Sequence, residues 1–183
     1  MNYFRQQSPI ISLPTAILLA LCCLFSLITS TVWANTHPHF DSIRALIDER
    51  ALESAITKMK QSAKKELLND AEVTILSAMF FAESGQPGKA LELIQKAEFM
   101  TTQFESEIAE ARARAYFKQG DLNKAYEMAS TALNKDNSNR AAQLILIKVD
   151  GELSGTLQKN AFEKLLRESN NQPAVWLAYL DQA

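Results

Sequence analysis

Ala78–Ala97 reads AMFFAESGQPGKALELIQKA, and 35 residues later Ala113–Ala132 reads ARAYFKQGDLNKAYEMASTA. Ala78 returns as Ala113, Phe81 as Tyr116, Gly85 as Gly120, Ala90 as Ala125 and Ala97 as Ala132, while the charged residues between them change freely. A self-echo of this period marks stacked two-helix units, each unable to bury its apolar face without a neighbour. The expected fold class is therefore all-α: an α-solenoid of helix-turn-helix repeats, about three pairs plus a C-terminal helix.

Outward from the echo, one unit spans 71–104. Its first helix carries Val73, Ile75, Leu76, Ala78, Met79, Phe80 and Phe81. Ser84–Gly88 then breaks the backbone, because Gly accepts positive φ and Pro stops a helix. The second helix holds Ala90, Leu91, Leu93, Ile94 and Ala97. The next unit, 106–139, repeats this plan around Gly120-Asp121. On either side the pattern loosens. Residues 40–70 predict helices near 40–49 and 51–67 without a glycine turn. Residues 140–172 predict helices at 140–151 and 156–168, with Gly155 in register but Lys148, Asn160 and Arg167 at the alanine places. A last helix starts at Pro173, a favoured first helical position, and fills 173–183.

These residues resemble the tetratricopeptide repeat, whose pattern of about 34 residues sets a small residue, an aromatic, a glycine and two alanines in this order. The resemblance is closest over 71–139. It departs from the family where Thr74 and Ala109 replace an early Trp, and where Thr102 and Asn137 replace a terminal Pro. In that family the first helix of each pair lines a concave groove. Carried over by register, the resemblance implies a partner-binding groove of Glu72, Ile75, Met79 and Ala82, then Glu107, Glu110, Arg114 and Phe117. The looser third unit would add Ala142, Ile145, Val149 and Glu152. Such a surface is apolar with acidic edges and one strong cation, and suits an amphipathic helix or an extended apolar peptide. Ile75, Met79, Ile145 and Val149 serve equally well as packing between helices. Trp176 and Tyr179 on the last helix form either part of a terminal cap or a second interface, to another protein or to another copy of the chain.

The N-terminus is a separate object. Arg5 is followed by an apolar run, Ala16–Ile28, then by Ser/Thr residues and Val32-Trp33-Ala34. This order describes a secretory signal peptide over 1–34, cut after Ala34. The competing reading keeps residues 10–33 as a single membrane span, with the repeats facing the periplasm. Cys22 and Cys23 lie inside the run, and Leu21 before them does not suit lipidation. After cleavage the chain would hold no cysteine, and its net charge would pass from −2 to −3 with the loss of Arg5. The short polar leader 35–39 would then begin Asn35-Thr36-His37. A free amine, two amide nitrogens and an imidazole in that order form a square-planar site for Cu(II) or Ni(II).

The helical body offers no basic stripe for nucleic acid, no phosphate loop and no nucleophile–histidine arrangement. No enzymatic activity and no cofactor are expected. The expected function is a protein-binding scaffold of a bacterial cell envelope, exported to the periplasm. A membrane-anchored module and a copper- or nickel-binding protein are the alternatives.

Overall fold

Helix boundaries follow the turn and cap residues of the sequence. The computed structural model describes residues 37–169 and 172–182, and the signal-like segment, Asn35 and Thr36 lie outside the described residues. Among the described residues the chain is all-α, with nine helices and no strand. They are α1 (Pro38–Asp48), α2 (Leu52–Lys64), α3 (Asp70–Glu83), α4 (Pro87–Met100), α5 (Glu105–Gln119), α6 (Leu122–Lys135), α7 (Arg140–Ser154), α8 (Lys159–Glu168) and α9 (Pro173–Leu180).

Asn69 caps α3. Its side-chain oxygen accepts from the Glu72 amide at 2.9 Å, and the Glu72 carboxylate accepts from the Asn69 amide at 2.7 Å. This reciprocal pair satisfies two of the amides that a helix start leaves unbonded. Asn139 caps α7 by accepting from the Ala142 amide at 3.0 Å. Pro87 and Pro173 open α4 and α9, where no amide is required. The helix expected from 156 begins instead at Lys159. Ser154, Thr156 and Gln158 bond one another there, with Ser154 Oγ 2.8 Å from Thr156 Oγ1. Short polar side chains of this kind compete with a helix for its own start.

The turns carry the repeat further than the alanines do. Gly85, Gly120 and Gly155 end α3, α5 and α7 in the left-handed region, at φ 79°, 79° and 63°. They stand 35 residues apart. Arg50 stands 35 residues before Gly85, and its φ of 58° is also left-handed. The pair at 40–70 therefore keeps the register without the glycine, at a backbone cost of about 1–2 kcal/mol for an L side chain.

Successive helices pack as pairs, and each odd-numbered helix also packs on the next odd one, from α1 through to α9. Close approach is what the alanines supply: Ala78, Ala90, Ala97, Ala113, Ala125 and Ala132 are all fully buried. Phe40, Ile43, Ile47, Ile75, Leu76, Met79 and Ile94 fill the core of the first two pairs. Where the alanines are lost, larger side chains take over. Phe162, Leu165 and Leu166 of α8 bury against Val175 and Ala178 of α9, and the Phe162 ring meets Tyr179 edge-on at 5.7 Å.

A Cβ added at Gly120 would meet nothing within 4 Å. Gly120→Ala should thus lower stability through backbone strain alone, by about 1–2 kcal/mol. The urea midpoint should fall while the slope of the transition stays unchanged.

Candidate functional site

The residues expected to line an open groove are largely interior. Ile75, Met79, Ala82, Ala142 and Val149 are buried, and Ile145 is 6% exposed. Glu72 is 4% exposed and belongs to the α3 capping box. Glu110 has no exposed surface and Arg114 only 6%. Glu107 and Phe117 are half-buried, and Glu152 is exposed. The reading of Arg114 as a cation presented to solvent is corrected: α1 and the ends of the other odd helices converge on it and enclose it.

Arg114 is the hub. Its Nε and Nη2 donate to Glu110 Oε1 at 2.9 and 2.7 Å, one helical turn earlier on α5. Nη1 donates to Glu83 Oε1 of α3 at 3.1 Å, and Nη2 also donates to Asp48 Oδ1 of α1. The other oxygen of Glu110 accepts from Arg44 of α1 and, at 3.0 Å, from Asn139 Nδ2. Asn139 Oδ1 accepts from Arg44 at 2.9 Å while capping α7, and its amide nitrogen also reaches Ser106 Oγ at 3.0 Å. Lys118, one turn beyond Arg114, pairs with Glu83 at 3.1 Å. One connected network thus joins α1, α3, α5 and the start of α7.

Burial and charge pull against each other at each carboxylate. For Glu110, burial alone would raise the pKa, but Arg44 and Arg114 outweigh it and hold the carboxyl below its usual 4.5. Glu83 follows the same balance: burial opposes its charge, Arg114 and Lys118 prevail, and its pKa is lowered. Asp48 goes the other way. Burial dominates there, and the opposing Arg114 charge does not offset it, so the pKa is raised. Burial likewise raises Glu107 and lowers Lys148. Around Arg114 the acids persist as acceptors locked to guanidinium groups, an arrangement that fixes helices relative to one another.

Arg44, Asp48, Glu83, Lys118 and Asn139 were not singled out by the sequence reading, though the register carries a signal for two of the network's members. Glu110 stands where Ile75 and Ile145 stand in the neighbouring units, and Arg114 stands where Met79 and Val149 stand. Two charges on one face, at places that are apolar in both neighbours, predict a buried pair. Partners from α1 lie 66 residues away from each of them in sequence. No periodicity reports that.

On α9, Trp176 is 46% exposed and Leu180 65% exposed, while Tyr179 packs edge-on against Trp176 at 6.2 Å. The helix both covers α8 and leaves an apolar row outside. Among the described residues no group of three or more His, Cys, Asp or Glu could hold a metal. The Asn35-Thr36-His37 candidate lies outside the described residues except for His37. No described helix is long and apolar enough to cross a membrane, and the expected span at 10–33 also lies outside.

Removing one member of a buried ion pair leaves the other uncompensated, at about 3–5 kcal/mol. Glu110→Ala should therefore destabilise the fold by that amount in urea unfolding, whereas Glu105→Ala should cost about 0–1 kcal/mol, because its partner Lys135 is half exposed. Glu83 and Glu110, with lowered pKa values, contribute stability that is present above 4.5 and lost as the pH falls through their folded values. Asp48, with a raised value, gains stability as it takes up its proton on the way down to 3.8. Thermal stability should thus be lost as the pH falls below 4.5, offset in part by Asp48, and Glu110→Gln should flatten that loss.

Comparison with family models, with curated proteins and with solved structures finds no match to the chain.

Proposed function

We propose that this chain is a tetratricopeptide-like α-solenoid that acts as a protein–protein interaction scaffold in a bacterial cell envelope. The observation that carries the reading is the constant 35-residue spacing of four left-handed turns, at Arg50, Gly85, Gly120 and Gly155. Each turn separates an inner helix from its outer partner, the plan by which repeat arrays build extended binding surfaces. The signal-like residues 1–34 support export to the periplasm.

Partner contact falls on what the inner row leaves accessible. Glu107 and Phe117 are the half-buried members of the expected groove, and Glu107 supplies the acidic edge. The Trp176–Leu180 row gives a second reading, because paired exposed apolar side chains on one helix face suit a protein surface, including that of another copy. Arg114 has no part in partner contact, since its donors are committed to Glu110, Glu83 and Asp48.

Pull-down from envelope extract, with wild-type bait and the variants Glu107→Lys, Phe117→Ala and Trp176→Ala, tests both readings. Loss of a specific partner with the first two variants supports the inner row, and loss with the third alone moves the site to α9. Capture of no specific protein by the wild type, or partners indifferent to all three changes, sinks the scaffold assignment for these surfaces.

A further inference from the structure

The first and last inner helices meet at their C-terminal ends, and that seam has three unusual features. Arg50 occupies a left-handed position where the three equivalent turns use glycine. Its guanidinium grips Asp181 with both arms: Nη1 donates to Oδ1 at 3.0 Å and Nη2 donates to Oδ2. Lys148 of α7 lies 3.7 Å from the same Oδ2. The neighbouring Gln182 donates to the Lys148 carbonyl at 2.9 Å, yet its own Oε1 is buried without a hydrogen-bond partner. The Gln182 amide lies against Gly151, where an added Cβ would come within 2.7 Å of it and push it aside. A buried unpaired acceptor disfavours docking, so the end of α9 is held by the carboxylate and opposed by the amide.

We propose that Arg50 and Lys148 form a carboxylate-binding site, filled in cis by Asp181, that accepts an acidic side chain of a partner protein in its place. This rests on the reading of the inner row as a partner-binding surface and names the chemistry that surface recognises. The planar fork of an arginine matches a carboxylate with two parallel bonds. Holding it in a strained backbone position makes sense where the side chain has a task that glycine cannot perform. Without Asp181, Arg50 and Lys148 at the seam would lose the carboxylate they share. The Arg50–Asp181 pair is also solvent-accessible, at 41% and 36% of the two side chains, so exchange needs no prior unfolding. Behind it a cavity of about 50 Å³ opens between Asp48, Glu83, Arg114 and Leu177. Entry of a partner carboxylate frees the end of α9 and relieves the stranded Gln182 oxygen.

The test uses a fluorescein-labelled hexaglutamate peptide at low ionic strength, with hexaglutamine as control. A tethered carboxylate competes at an effective concentration in the millimolar range, so the wild type should bind weakly and Asp181→Asn at least about tenfold more tightly. Adding Arg50→Gly to Asp181→Asn should abolish the gain. That change installs the residue the other turns carry, so helix content by circular dichroism should persist. Equal affinity of wild type and Asp181→Asn, absence of binding to Asp181→Asn, or a gain that survives Arg50→Gly each overturns the site. A failed pull-down alongside the expected peptide pattern would remove the scaffold reading and leave the carboxylate site standing.

Discussion

A carboxylate with no exposed surface sets the terms for the rest of this molecule. Glu110 cannot hold its charge in the interior unless cations and donors meet both of its oxygens. Arg114 comes from the same helix, but Arg44 and Asn139 come from elsewhere, and Arg114 in turn requires Asp48 and Glu83. These partners tie three further helices to α5: Arg44 and Asp48 hold α1, Glu83 holds α3 and Asn139 holds the start of α7. The network therefore does what apolar packing between alanines cannot: it ties α1, α3, α5 and the start of α7 to one another through directional bonds.

Charged side chains converge around Arg114 and pair with one another, and Ile75, Met79, Glu110, Arg114, Ile145 and Val149 are interior. What stays accessible lies at the margins: Glu107 and Phe117 on α5, the Arg50–Asp181 seam, and the Trp176–Leu180 row. Binding at the proposed seam site would compete with an internal contact, whereas binding at the α9 row would not. The two surfaces would thus follow different physics, one displacing a charge and one burying apolar area.

The seam also shows where local preference yields to tertiary demand. A left-handed turn favours glycine, and three of the four repeat turns use it. At Arg50 the backbone accepts strain, and the side chain gains a bidentate partner more than a hundred residues away. Gln182 pays a similar penalty at the other side, with one amide atom bonded and the other stranded.

Much of the fold was legible in the sequence by itself. Alanines at a period of 35, glycines at the turns and Pro173 at a helix start are local signals, because each acts within a few residues of itself. They placed the helices and identified Ala78, Ala90, Ala97, Ala113, Ala125 and Ala132 as points of close approach. The sequence did not reveal that Glu110 and Arg114 face inward with partners, that Arg50 keeps the turn register, or that Asp181 meets it. Those facts depend on long-range pairing of charges across helices far apart in the chain. Periodicity reports which face of a helix is apolar; only the tertiary structure decides which distant side chain that face will meet, because the cost of burying a charge is settled there.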